Sequence, residues 1–324
     1  MSAIPAPATA ERWLDTERPE APPPITELPR TRRRHRLSAL VTTFNEAESL
    51  ADCLRSLDFC DEIVVVDSHS SDDTVAIARS FDRVRVLERT YFGAASQKNW
   101  AIDRLRFDWV LILDADERVT PELRDEIEDV LSQPSPPTAF AIPRRTFAMG
   151  RRLRYSGWQN DRVVRLFRRD AARYPNRRVH ADMVTLLPPT SLSGAIDHYM
   201  VEDLGEYIQR IQRYAWWGAA QLWRDGRRAG PWEIAVRPTW RFLRTYLVQL
   251  GVLEGTRGLV MCALQAYGTF LKYSMLWSWR AETARGSEPR LPAFDDNART
   301  WAWPRPRSAA AQVPEPVSRN AAEA

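Results

Sequence analysis

Two carboxylates spaced i, i+2, Asp114 and Asp116, come directly after the apolar run Trp109-Val110-Leu111-Ile112-Leu113. A short run with no polar face reads as a strand covered on both sides, so both acids stand at its carboxyl end. Oxygen donors placed there suit a hard divalent cation, Mg²⁺ or Mn²⁺, which keeps waters and takes further ligands from substrate phosphates. Two more polar groups arise in the same way. Thr42-Thr43-Phe44-Asn45-Glu46 ends the run that starts at Leu37, and Asp67-Ser68-His69-Ser70-Ser71-Asp72 succeeds Ile63-Val64-Val65-Val66. Any one acid at a strand end can be a turn cap. Acids and small polar residues at three strand ends imply a binding edge, because ligands of doubly wound sheets lie beyond the carboxyl ends of the strands.

A basic residue adds to this set. Lysine occurs only at Lys98 and Lys272 among 46 basic residues. A lysine retained in so arginine-rich a chain is a candidate for a role that a planar guanidinium cannot fill. Other phosphate-binding and hydrolytic schemes lack their motifs. There is no GxGxxG after the first strand, no GxxxxGK[ST], no HExxH and no GxSxG, which disfavours nicotinamide dinucleotide folds, P-loop proteins, zinc proteases and α/β-hydrolases. The remaining possibility is a sheet that binds a nucleotide through acids and a metal.

The elements that must position these residues are legible as alternation. Runs at 37–44, 63–66, 84–87 and 109–113 read as strands. Ala47, Leu50, Leu54 and Leu57 fall at helical spacing, Ser71-Asp72-Asp73-Thr74 offers cap chemistry, and a helix is expected from about Ala94 to Leu105. Thr120-Pro121-Glu122 is a helix start with a cap, a first-turn proline and an acid at the positive dipole end. The alternation predicts an α/β fold with a doubly wound, mainly parallel sheet. Shorter runs at Ala139–Ile142, Val163–Phe167, Met183–Leu187 and Ile196–Met200 are expected to add a mixed edge. The expected organisation is a disordered N-terminal tail (1–36), a catalytic domain (37–201), a helical region (202–282) and a disordered C-terminal tail (283–324).

Composition narrows the class. The formal net charge is +4, too weak to argue for nucleic acid but suited to an anionic substrate or membrane surface. Three cysteines without CxxC spacing point to neither a disulfide framework nor structural zinc, and favour a reducing cytoplasm. No basic-then-apolar signal segment opens the chain. The longest uncharged run in the apolar C-terminal region, Gly258 to Leu271, is shorter than the roughly 20 residues needed to cross a bilayer.

Several segments, in chain order, carry a family resemblance: Thr42-Thr43-Phe44-Asn45-Glu46, Val65-Val66-Asp67-Ser68, Gly93 with Gln97-Lys98-Asn99, and Leu113-Asp114-Ala115-Asp116-Glu117-Arg118. Ile142-Pro143-Arg144-Arg145, Gly157-Trp158 with Asp161, Arg165-Leu166-Phe167-Arg168-Arg169, Val179-His180, Phe270-Leu271-Lys272-Tyr273 and Leu276-Trp277 continue the series. From Leu37 to Arg280 the chain resembles glycosyltransferase family 2, the inverting enzymes of GT-A (Rossmann-like) fold, and in particular the branch of lipopolysaccharide-core β-1,4-glucosyltransferases. The resemblance implies a nucleotide-sugar donor, with UDP as the expected carrier, and a cell-envelope glycan or glycolipid acceptor. It implies that Thr43, Asn45 and Glu46 border the nucleoside, Asp67 accepts from base or ribose, Lys98 meets the nucleotide, Asp114 faces the ribose or metal, and Asp116 the metal.

An inverting transfer also needs a general base. Relatives usually read Val-His-Glu where this chain reads Val179-His180-Ala181-Asp182, so the family carboxylate is missing. Asp182, Asp161 and His180 are the candidates, in that order of preference. A one-residue shift to Asp182 would turn its side chain to the opposite face if the segment is a strand. The C-terminal helices interleave tryptophan, tyrosine and arginine, as in Trp240-Arg241-Phe242-Leu243-Arg244-Thr245-Tyr246, which suits a peripheral contact at the inner face of the cytoplasmic membrane; core packing of the same tryptophans is the alternative. There are two rival functions. One is a catalytically weakened GT-A-like nucleotide-binding or scaffold protein, favoured by Ala181. The other is a nucleotidyltransferase, which the absence of a Gly- and Arg-rich first loop disfavours.

Overall fold

The computed structural model describes residues 33–175, 182–201 and 203–287, with Pro289 and Leu291 beyond them. The elements are, in order, β1 (Leu37–Thr43), α1 (Ala47–Arg55), β2 (Glu62–Asp67), α2 (Thr74–Arg79), β3 (Val84–Glu88), α3 (Ala94–Ile102), β4 (Trp109–Asp114), β5 (Glu117–Val119), α4 (Pro121–Ser132) and β6 (Ala139–Ala148). The chain continues through β7 (Arg151–Arg152), β8 (Arg162–Arg168), β9 (Ala172–Arg173), β10 (Val184–Thr185), β11 (Thr190–Ser191) and β12 (Ile196–Val201). It ends in α5 (Leu204–Arg224), α6 (Pro231–Leu243) and α7 (Gly255–Ala284).

The main sheet runs β3-β2-β1-β4-β8-β6-β12-β5. Its first four strands are parallel, as short strand–helix crossovers require. β8 enters antiparallel to both β4 and β6. Strands β1, β2 and β4 are buried on both faces, apart from their polar ends. One apolar cluster beneath the sheet gathers Leu50, Leu54, Ile63, Val65, Leu111 and Leu123; another above it gathers Leu40, Val64, Val66, Ile102, Ile112 and Phe167. Helix α4 starts as its sequence predicts, with Leu123 N donating to Thr120 Oγ1 at 3.3 Å and Pro121 in the first turn.

Two expectations are corrected. Met183–Leu187 yields only β10, which pairs with β9 in a separate two-stranded ribbon, not with the main sheet. Ile196–Met200 joins the mixed side of the sheet as expected: β12 lies between β6 and β5, parallel to one and antiparallel to the other. The ordered fold also begins before Leu37. Arg33 donates to Phe59 O at 2.7 Å and Asp61 Oδ2 at 2.8 Å, and Arg36 to Asp61 Oδ1 at 2.6 Å. Within the segment expected as a disordered tail, Arg33 is thus a buried partner of Asp61 and Arg36 a more exposed one. The rest of the N-terminal segment, and most of the C-terminal one, lie outside the described residues; α7 itself extends to Ala284.

The C-terminal helices pack as a three-helix layer. Trp216 and Trp279 are buried with Ala219, Ala220 and Leu276, so part of the tryptophan content is core. Trp232, Trp240 and Trp277 are exposed. Between α6 and α7 the chain makes a π-helical turn at Arg244–Val248 and a 3₁₀ turn at Gly251–Glu254. Leu250 (φ 58) and Gly255 (φ 61) take left-handed backbone there. Gly258 lets the bend close, since a Cβ at that position would stand 1.9 Å from Gly251 O. Among the described residues no single helix is long and apolar enough to cross a membrane, although the bent pair Pro231–Val248 and Gly251–Ala284, at 72°, passes that test jointly.

Candidate active site

Strand register sets the first row of the site. Thr43 pairs with Asp67 across β1 and β2, and Thr42 with Asp114 across β1 and β4. The loops after β1 and β2 are tied together: Asn45 N donates to Ser70 Oγ at 2.9 Å, Ser71 N to Asn45 Oδ1 at 2.8 Å, and Glu46 N to Thr74 Oγ1 at 2.8 Å. Asn45 adopts φ 52 to make this turn, a conformation asparagine tolerates better than most residues. Asp67 is buried and accepts from both N and Oγ of Ser70. The Thr43 hydroxyl is buried with no hydrogen-bond partner among the described residues.

Asp114 is the centre of an ion-pair network. Lys98 Nζ donates to its Oδ1 at 2.7 Å, Thr42 Oγ1 to the same oxygen at 3.1 Å, and Arg165 to its Oδ2 at 2.7 Å. Burial opposes the charge on Asp114, but Lys98 and Arg165 together hold its carboxyl well below the usual range. Arg165 also binds the fully buried Glu117 at 2.8 Å; Arg144 reaches Glu117 at 3.2 Å and Asp161 at 2.8 Å. The Gln97-Lys98-Asn99 segment gives each residue a different anchor. Gln97 donates to Ser68 Oγ, Lys98 to Asp114, and Asn99 exchanges two bonds with the backbone of Tyr174. Lys98, expected at the nucleotide, is only 7% exposed and fixes Asp114 instead of projecting into the edge.

Asp116 has different surroundings. Its Oδ2 lies 3.3 Å from His198 Nε2 and 3.6 Å from an Arg210 nitrogen. Burial opposes its ionisation, but His198 outweighs that and lowers the carboxyl below its ordinary value. Nearby, Glu46 is pushed up to about 7, chiefly by burial and then by the charge of Asp116. His198 comes from β12, whose antiparallel pairing with β5 sets His198 opposite Glu117. No sequence pattern signals this: β5 is Glu117–Val119 alone, and its partner β12 begins only at Ile196.

A divalent cation fits only part of this constellation. Among the described residues no group of three or more His, Cys, Asp or Glu side chains is arranged as a metal cage. Both oxygens of Asp114 already face cationic side chains, so Asp114, expected as a possible ligand, does not fit one. Asp116 and His198 do fit, since Asp116 Oδ2 and His198 Nε2, an oxygen and a nitrogen donor, stand 3.3 Å apart and could share one cation. A site with few protein ligands suits a cation that completes its shell from substrate phosphates. Of the base candidates, Asp161 lies on a cavity wall, bonded to Arg144. Asp182 is exposed just before β10 and has no hydrogen bond or ion pair among the described residues. His180 lies outside the described residues.

The family model described as glycosyl transferase family 2 matches residues 38–183, from the first strand past the whole ion-pair network. The chain carries a glycosyltransferase family 2 domain. It is 28% identical to the lipopolysaccharide core biosynthesis glycosyltransferase LpsC of Rhizobium meliloti over 77% of this chain and 94% of that protein. It is 26% identical to an uncharacterized glycosyltransferase of Rickettsia typhi over 74% of this chain and 86% of that one. Among solved structures, S. aureus TarS 1-349 aligns over 79% of this chain and 93% of its own length, at 16% identity and a TM-score of 0.38. The described residues form a mixed, mostly parallel sheet with helices and a C-terminal helical segment.

Proposed function

We propose that the protein is an inverting, metal-dependent glycosyltransferase. It takes a nucleotide sugar, with UDP as carrier, and transfers the sugar to a cell-envelope glycan or glycolipid at a membrane surface. The observation that carries this reading is the single polar edge formed by Thr43, Asn45, Asp67, Asp114 and Asp116 with His198 beside them. Asp67 and the neighbouring loop bind the nucleoside. Asp114, kept ionised by Lys98 and Arg165, accepts from the ribose. Asp116 and His198 hold Mg²⁺ or Mn²⁺. The cation, when bound, offsets the charge that develops on the departing diphosphate.

In the transfer, the acceptor hydroxyl oxygen bonds to the anomeric carbon as the bond from that carbon to the diphosphate breaks. A carboxylate takes the hydroxyl proton, and attack from the opposite face inverts the anomeric configuration. Asp161 is favoured as this base by its place on the cavity wall, with Asp182 as the rival. The envelope acceptor draws support from the Rhizobium relative, a glycosyltransferase of lipopolysaccharide core biosynthesis. The membrane surface draws support from the exposed Leu247, Val248, Leu250 and Leu253 at the α6–α7 bend, bordered by Arg241, Arg244 and Arg257.

Calorimetric titration of UDP, GDP, dTDP and CDP, each with Mn²⁺ and with a chelator, tests the donor half. Metal-dependent preference for UDP is expected; absence of binding to all four by folded protein would favour the scaffold reading. Asp161→Asn should lower turnover with little change in donor binding, and Asp182→Asn should leave turnover near wild type. The reverse pattern would move the base to Asp182.

A further inference from the structure

A second feature lies one ion pair beyond the donor edge. A cavity of about 370 Å³ opens between β6, the β7 hairpin and the segment 158–162. Five arginines line it: Arg144, Arg145, Arg152, Arg154 and Arg162. Arg144 is matched by Asp161 and Glu117, and Arg145 is clamped by Asp197 at 2.5 and 2.9 Å. Arg162 donates to the Leu192 carbonyl. The guanidiniums of Arg152 and Arg154 have no acidic partner among the described residues, and both side chains are exposed. Asp161 is the one acid on the wall and is held by Arg144, so the lining stays predominantly positive, and a concave site of mainly one sign focuses its field inward. Two unmatched guanidinium forks facing one cavity are the arrangement that recognises phosphate or carboxylate.

The remaining lining carries groups that suit a sugar ring. Trp158 provides apolar ring surface, while Gln159 and Asn160 carry amides that both donate to and accept from hydroxyls. The cavity is also coupled to both halves of the proposed machinery. On one side Arg144 joins it through Glu117 and Arg165 to Asp114. On the other, the rim residues Arg154 and Tyr155 donate their backbone N–H groups to Glu254, and Ser156 N donates to Gln249 O at 2.9 Å. Gln249 and Glu254 belong to the apolar α6–α7 bend.

We propose that this cavity binds an anionic substituent, phosphate or carboxylate, carried by the acceptor glycan, with Arg152 and Arg154 as its direct contacts and Trp158 beneath the sugar ring. The assignment rests on the transferase reading of the strand-end edge. It names the acceptor class as an acidic glycan, presented beside the membrane-facing bend.

The test titrates the full chain, in the presence of UDP, with glucose 6-phosphate, glucuronate, glucose and glycerol 3-phosphate, and repeats the series on Arg152→Gln/Arg154→Gln. Saturable binding of glucose 6-phosphate and glucuronate is expected, with about tenfold loss in the double variant and weaker binding of glucose. Glucose 6-phosphate binding no stronger than glucose, or equal in both proteins, would overturn the proposal. Glycerol 3-phosphate binding as tightly as glucose 6-phosphate would overturn it in favour of a lipid headgroup. UDP titrated alone into both proteins keeps the two readings apart: failure there would count against the donor site and leave the cavity result intact.

Discussion

Asp114 and Asp116 are two positions apart and stand in opposite surroundings. Asp114 is held ionised by Lys98 and Arg165, which take both its oxygens. Asp116 keeps company with one imidazole and a more distant guanidinium, which leaves it open to a cation. Lys98→Met should therefore act mainly on the fold. Removing one partner of this buried pair is expected to cost about 3 kcal/mol in urea denaturation; an unchanged midpoint would show that the pair contributes nothing. Glu46 adds a pH effect. Its folded carboxyl is raised to about 7 from 4.5, so the native state binds more protons than the unfolded state between those values. Stability should then fall as pH rises through that window, with the cost complete above about pH 7. Glu46→Gln should raise the melting temperature of the metal-free protein at pH 8 more than at pH 5; equal shifts would remove Glu46 as the cause.

At the scale of elements, strand ends were legible and strand partners were not. The apolar runs before Thr43, Asp67 and Asp114 are long enough to announce buried strands, and parallel register then aligns the polar residues at their carboxyl ends. The three residues Glu117–Val119 carry no periodicity, so β5, and the pairing that sets His198 against Asp116, arise only from tertiary contact. Arg33 misleads for a related reason: it falls in the segment expected as a disordered tail, and its buried partner Asp61 is remote in sequence. The α6–α7 bend divides the two readings of the tryptophan-rich segment, with Trp216 and Trp279 packed inside and Trp240 facing out. Val248 is 68% exposed at the tip of that bend and Leu253 61%, an apolar patch that a membrane surface would cover. Leu247→Ser/Val248→Ser/Leu253→Ser should reduce cosedimentation with phosphatidylglycerol vesicles while UDP titration stays unchanged. Wild-type vesicle binding in that variant would assign the bend to another contact.

The whole molecule sets an acidic edge beside an arginine-lined cavity and an apolar, arginine-bordered bend. A net charge of only +4 conceals this separation, because acids and arginines are sorted by place. The arrangement supports a transferase that draws one substrate from solution and meets the other at a surface. Such an enzyme requires the strand-end edge to bind a nucleoside diphosphate through a cation held by Asp116 and His198. Calorimetric titration of UDP, with Mn²⁺ and with a chelator, into the wild type and Asp116→Ala measures that requirement. Mn²⁺-dependent UDP binding by the wild type is expected, with its loss in a variant that keeps the wild-type circular dichroism spectrum. Equal, metal-stimulated binding by both proteins would contradict a cation site at Asp116.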